Sequence, residues 1–284
     1  MVDNTVIRIL NICKNIITFV YLINELCHLP LRLMSTENSM FMKKLIIGLA
    51  LITGSAFDTD AQENKKTVHA LSGKQQKIVS ISALTAKGDL EHLKPELNAG
   101  LDSGLTVNEI KEVLVHLYAY SGFPRSLRGL QTFMGVLDER KAKGITDKAG
   151  ASASAINDKR SKYERGKAVL EKLSGVKESG PRKGYAAFSP EIEVFLKEHL
   201  FADIFERDVL DYTSRELLTV SVITALGGLE PMLSSHLGLS LNVGRTPTQL
   251  TEMIDNIEVN IGKKEADAAR PVLAKVLESK GDPK

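Results

Sequence analysis

The chain has 284 residues, 43% of them hydrophobic, enough for one large or two ordinary buried cores. Its formal net charge is +2, with 25% charged residues of both signs interspersed. That balance gives no reason to expect nucleic acid, an acidic substrate or a disordered tail.

Met42-Lys43-Lys44 precedes the apolar run Leu45–Ile52, followed by the small residues Thr53-Gly54-Ser55-Ala56 and then Ala61-Gln62. A positive start, a short apolar core and a small-residue exit read as a signal peptide over 42–61. Residues 1–41 do not belong in front of one and are read as a non-native upstream extension, with translation starting at Met42 and cleavage near Ala56 or Ala61. The rival reading is a membrane anchor over Val6–Leu33, against which stand Lys14, Asn24 and Glu25. The first reading predicts export, to the periplasm or the medium, and no permanent membrane span after cleavage. Cys13 and Cys27 are the only cysteines, and both precede the cleavage point. The mature chain is therefore expected to hold no disulfide, thiolate metal site or redox thiol.

After the signal, residues 75–138 and 215–278 align without a gap at an offset of 140. Gly88, Leu93, Leu97, Leu101, Gly104, Thr106, Glu112 and Gly122 recur as Gly228, Leu233, Leu237, Leu241, Gly244, Thr246, Glu252 and Gly262. Apolar positions and helix punctuation repeat, so the fold is duplicated. The first repeat spans 71–143. It reads as a helix over Gln75–Lys87 closed by Gly88, then Leu90–Ser103 closed by Gly104. A third helix over Val107–Ala119 is opened by a Thr106/Glu109 capping box, and a fourth runs from Pro124 to about Lys141.

Residues 144–162, rich in Ala, Ser, Gly and Asp, read as a linker. The second repeat, 163–280, opens with a short helix over Lys162–Leu173 and a loop over Ser174–Pro190. A helix over Glu191–Leu200 and an insertion-like stretch, Phe201–Tyr212, follow. The repeat proper resumes with Ser214 capping Arg215–Leu226, then Leu229–Val243, then a helix opened by Thr246, Pro247 and Gln249. No alternating strand pattern of useful length occurs, so the expected fold class is all-α.

Of His69, His92, His116, His199 and His236, no two stand four apart on one helix or form a His-Glu-x-x-His pattern. No metal site is therefore expected. A nucleophile elbow, a phosphate loop and a dinucleotide fingerprint are also lacking. His236 stands at the edge of the Leu233/Leu237/Leu241 stripe, where the first copy has Glu96. Around the Gly227-Gly228 turn, Glu216 lies about 11 residues before and His236 about 8 after, which would bring them within about a turn of each other on antiparallel helices. A carboxylate orienting an imidazole is an acid–base unit. A boundary histidine beside an unrelated helix-start glutamate is the plainer alternative. Tyr118-Ala119-Tyr120-Ser121-Gly122-Phe123-Pro124 forms a helix–helix corner, either merely structural or able to present backbone N–H groups to an anion.

At these residues the sequence resembles the carboxymuconolactone decarboxylase family, which shares the alkylhydroperoxidase D-like helical fold. The likeness runs over roughly 71–277. It is strongest at Phe201-Ala202-Asp203-Ile204-Phe205-Glu206-Arg207, at Ser214-Arg215-Glu216-Leu217-Leu218-Thr219-Val220, and from Ala225 through His236 to Gly244. Tyr120-Ser121-Gly122-Phe123-Pro124 supplies the corner motif. The resemblance implies two tandem repeats packed together in a homo-oligomer. It implies a cofactor-independent lyase acting on a small carboxylated lactone or related oxo-acid. Its residues would be His236 and Glu216 as the catalytic pair, with Arg207, Tyr120, Gly122 and Pro124 binding substrate. The alternative is a non-catalytic small-molecule-binding or scaffold protein. The peroxidase branch carries Cys-x-x-Cys ahead of the histidine, and here those positions are Leu229 and Met232. Peroxidase activity is not expected, because its cycle passes through a disulfide.

Overall fold

The computed structural model describes residues 70–281, so the signal-peptide and upstream readings, Cys13, Cys27 and His69 lie outside the described residues. These residues form helices and no strand. The first repeat comprises α1 (Gly73–Lys87), α2 (Leu90–Asp102), α3 (Val107–His116) and α4 (Tyr118–Ala142). Then come α5 (Lys162–Ser174), a single turn α6 (Tyr185–Phe188), α7 (Pro190–Phe195) and a π-helix over Leu196–Ile204. The second repeat closes with α8 (Tyr212–Leu226), α9 (Glu230–Asn242), α10 (Pro247–Asn260) and α11 (Lys263–Gly281). The α2 and α9 bounds coincide at the repeat offset, as the shared Gly and Leu positions require.

The two copies pack through their first helices. In α1 every residue from Ile78 to Ala86 is buried, and in α8 every residue from Arg215 to Ala225. A helix covered on all sides is a central helix, and here each is the hub of the other copy's packing. Their Ser and Thr residues tolerate this burial by donating to the carbonyl one turn back. Ser82 donates to Ile78, Thr85 to Ile81 and Ser221 to Leu217, each at 2.6 Å. The Leu93/Leu97/Leu101 and Leu233/Leu237 stripes close the same core from outside.

Helix starts follow the capping chemistry. Ser72/Gln75, Thr106/Glu109, Ser161/Glu164 and Thr246/Gln249 all form capping boxes. Ser214 does not cap α8 as expected. Asp211 does, accepting from the Ser214 N–H at 2.7 Å, and the helix starts at Tyr212. The third helix, expected to reach Ala119, is interrupted at Leu117, whose carbonyl takes the N–H groups of both Tyr120 and Ser121. A second break follows at Gly122, with φ 78° and ψ 162°, a conformation suited to glycine. Copy two lacks the first break, so α10 runs unbroken to Asn260.

The stretch read as an insertion, Phe201–Tyr212, is largely structured. The helix opened by Pro190 continues beyond Leu200 as the π-helix, where Phe205 N–H reaches back to Leu200 O at 3.0 Å. Its Leu200, Phe201, Ile204 and the following Phe205 pack on Val169 and Leu173 of α5 in a second apolar cluster. The linker is pinned to α3, because Val107 and Asn108 donate to Lys148 and Ala149 carbonyls at 3.0 and 2.9 Å.

Candidate functional site

Glu216 lies one turn into α8 and is fully buried, and His236 lies on α9 with 14% of its side chain exposed. His236 Nδ1 and Glu216 Oε2 are 2.9 Å apart. The antiparallel hairpin about Gly227-Gly228 thus produces the pair that the spacing predicted. A carboxylate facing Nδ1 takes the proton there, and Nε2 is left as the nitrogen able to exchange a proton with a ligand. Glu216 Oε1 is buried without a partner.

The third member comes from the other copy. Tyr120, in the turn between the breaks at Leu117 and Gly122, places its ring edge-on to His236, with centroids 5.7 Å apart. Its hydroxyl is buried beside Thr219 without a hydrogen bond of full geometry. Burial, and then the nearby Glu216 charge, push its pKa well above the usual phenol value. Tyr120 therefore keeps its proton and is a phenol here, not a phenolate. Gly122 and Pro124 are exposed and shape the corner that aims Tyr120. Phe123 beside them stacks on Tyr118 at 4.5 Å.

Behind Tyr120 runs a buried polar network. His116, fully buried, stacks on Tyr120 at 5.7 Å and contacts Phe205 at 4.9 Å. Its Nε2 is 3.0 Å from Thr219 Oγ1, and its Nδ1 is 3.0 Å from Arg215 Nη1. Arg215, 0% exposed, also donates from Nη2 to Glu112 Oε1 at 2.7 Å and to the Arg207 carbonyl. Glu112, 3% exposed, accepts in turn from Arg207 Nε and Nη2, each at 2.9 Å. Two arginines on one carboxylate make this burial tolerable. Burial, with Arg215 next, holds His116 well below the usual histidine pKa, so it is neutral.

The structure thus joins His236, Glu216 and Tyr120. Arg207, expected beside them as anion binder, sits elsewhere. Tyr120, His116, Arg215 and Glu112 stand between it and His236, and one edge of its guanidinium is taken by Glu112. It instead lines a separate cleft of about 210 Å³ with Asn108, Lys111 and Ser152. Another cleft, about 380 Å³, lies around Tyr163, Arg182 and Glu193, and neither cleft is lined by His236, Glu216 or Tyr120.

Sequence reading missed Glu112, His116, Arg215 and Thr219. A local signal is present, since Glu112 and His116 on α3 and Arg215 and Thr219 on α8 are each four apart on one helix face, whereas Tyr120 lies beyond the break at Leu117. In the sequence Glu112 stands out only as a repeat position. Its counterpart Glu252 likewise reaches the start of the other copy, accepting from Leu71 N–H at 2.6 Å. At the reciprocal junction between the copies, Gln76, Glu96, Asn256 and Asn260 replace Glu216, His236, His116 and Tyr120. Glu96 there turns to Lys77 and Ser80. Among the described residues the His236–Glu216–Tyr120 arrangement therefore occurs once.

Among the described residues no cluster of His, Cys, Asp and Glu could hold a metal ion, and no helix is long and apolar enough to cross a membrane. None of the curated proteins compared with the chain matches it. The family model for the carboxymuconolactone decarboxylase family matches at 56–133 and again at 190–275, together more than half of the chain and once on each repeat. The chain belongs to the carboxymuconolactone decarboxylase family, as a tandem two-copy member.

Proposed function

We propose that the chain is a cofactor-independent lyase for a small carboxylated lactone or related oxo-acid, with His236 as its proton donor. The observation that carries this reading is the Glu216–His236 pair at 2.9 Å, flanked by two buried, unpartnered polar atoms, Tyr120 Oη and Glu216 Oε1. Unpaired buried polar atoms around an oriented imidazole cost stability unless a ligand satisfies them.

In the proposed reaction the bond between the ring carbon and the carboxylate breaks. Its electron pair moves into the conjugated carbonyl, and carbon dioxide leaves. The enolate oxygen that develops accepts a hydrogen bond from Tyr120. The carbanionic carbon then takes the Nε2 proton of the His236 imidazolium, whose charge Glu216 supports, and solvent reprotonates His236. Thiol peroxidase chemistry has no place in this cycle, because Leu229 and Met232 occupy the positions of the two cysteines.

A specific observation favours a second reading, a small-molecule-binding or scaffold protein: among the described residues, the well-formed clefts around Tyr163, around Lys111 and around Tyr212 are not lined by His236. A panel of unsaturated carboxy-lactones, assayed for carbon dioxide release with wild type and His236→Ala, separates the two. The lyase reading expects turnover lowered by about 10²-fold or more in the variant, the usual scale for losing a general acid. Saturable binding of the panel without carbon dioxide release would establish the binding protein instead.

We also propose that copies of the chain associate through the exposed apolar stripe Phe123, Leu127 and Met134 on α4, which adjoins the Tyr120 corner. Export, proposed from the signal-peptide reading, is checked by fractionation and by sequencing the N-terminus of the mature protein.

A further inference from the structure

We propose that His116 is a positioning residue: Arg215 locks it as the Nε2–H tautomer, and through Thr219 it turns the Tyr120 hydroxyl proton toward Glu216 and the ligand. This rests on the reading of Tyr120 as a donor to the reacting oxygen.

The direction of each hydrogen bond follows from what each group can do. A guanidinium has only donors, so Arg215 Nη1, 3.0 Å away, makes His116 Nδ1 an acceptor. The ring is neutral, so its single proton stands on Nε2 and is donated to Thr219 Oγ1 at 3.0 Å. Thr219 differs in this from Ser82, Thr85 and Ser221, which spend their hydroxyl protons on the carbonyl one turn back. Its proton is left for the neighbouring oxygen of Tyr120, which has no other hydrogen-bond partner. Once Tyr120 Oη accepts from Thr219, its own proton must point onward. The groups left to receive it are Glu216 Oε1, buried, unpartnered and close enough for its charge to act on Tyr120, and a ligand bound against His236, whose ring meets that of Tyr120 edge-on. Reversing one member would place two donors or two acceptors face to face, and Arg215 forbids this at the head of the chain. Glu112 and Arg207 hold Arg215 in turn. His116 touches no reacting atom in this scheme and acts only through Thr219 and Tyr120.

The experiment uses the full chain with its six histidines labelled with 15N and its tyrosines labelled with 13C at Cζ. His116→Phe and Tyr120→Phe assign the two signals. Wild type is expected to show His116 as the neutral Nε2–H tautomer at neutral pH, with a slowly exchanging ring N–H. Glutamine places an amide N–H close to the position of Nε2, and asparagine close to that of Nδ1. His116→Gln should therefore leave the Tyr120 Cζ resonance in place, whereas His116→Asn and Thr219→Val should both move it. Where a turnover assay exists, His116→Gln should keep at least about half of kcat. His116→Asn should lose about tenfold, the size of one net hydrogen bond, with KM little changed. An Nδ1–H tautomer, an imidazolium, or a Tyr120 resonance unmoved by all three variants would overturn the proposal. The spectra need no substrate, so failure of the lyase reading would leave this test intact and separately readable.

Discussion

Glu112 is the residue on which the buried charges depend. Its carboxylate is shared by Arg215, which has no access to solvent, and by Arg207, which is 40% exposed. Removing the carboxylate strands a buried guanidinium, whereas removing Arg207 leaves Glu112 paired. Glu112→Ala should therefore cost about 3–5 kcal/mol and Arg207→Ala about 1 kcal/mol, as read from urea unfolding. Equal losses would mean that Arg215 finds another partner. His116 makes a second prediction. Burial, followed by Arg215, lowers its folded pKa, so above about pH 6.5 it is neutral in both folded and unfolded chains. Below that pH the unfolded chain gains a proton that the folded one refuses, and stability falls as the pH falls. The melting temperature of wild type should drop between about pH 6.5 and 5 more steeply than that of His116→Gln. Parallel curves would contradict a neutral buried ring. At this scale the sequence was half legible. Glu216 and His236 were found because a glycine turn fixes the distance along two helices. The network behind Tyr120 was not, because it crosses from one copy to the other, and no spacing within a copy reports which face meets the partner.

Between elements, α5 and the π-helix approach each other backbone to backbone. A Cβ on Gly166 would lie 1.7 Å from the Lys197 carbonyl oxygen, so the two backbones meet where only glycine fits. Lys197 itself is buried. Burial alone would lower its pKa, but Glu178 and Glu193 more than reverse this and keep the ammonium charged. Gly166→Ala should destabilise by about 2–3 kcal/mol or more. Gly238→Ala, in α9 with open space at the Cβ, should stabilise by up to about 1 kcal/mol. Opposite signs in denaturant unfolding are expected, and a neutral Gly166→Ala would contradict the packing. The helices themselves were readable, since caps, glycines and leucine stripes are local signals. Phe201–Tyr212 was not, because its π-turns are held by packing of Phe201 and Phe205 on α5 rather than by any local propensity. Asp211, not Ser214, caps α8, because the helix already starts at Tyr212 and the Asp211 carboxylate accepts from its third amide, that of Ser214.

For the whole molecule, duplication makes the asymmetry of the two junctions visible. Each copy offers its first helix to the other, yet only one of the two resulting junctions carries a histidine and a tyrosine. The other holds Gln76, Glu96, Asn256 and Asn260, with Glu96 paired to Lys77. If the α4 stripe joins copies of the chain, Leu127→Glu with Met134→Glu should convert the assembly to monomers in sedimentation velocity, with helicity unchanged. An unchanged sedimentation coefficient would place the interface elsewhere. The central claim is that Tyr120 of one repeat and His236 of the other serve the same step. It is tested most directly by the rate of carbon dioxide release from a carboxy-lactone in wild type, Tyr120→Phe, His236→Ala and the double variant. Groups that act as one unit give non-additive losses. The account predicts that Tyr120→Phe alone costs about tenfold or more and costs little once His236 is gone. A Tyr120→Phe variant at the wild-type rate, or losses that simply multiply, would contradict it.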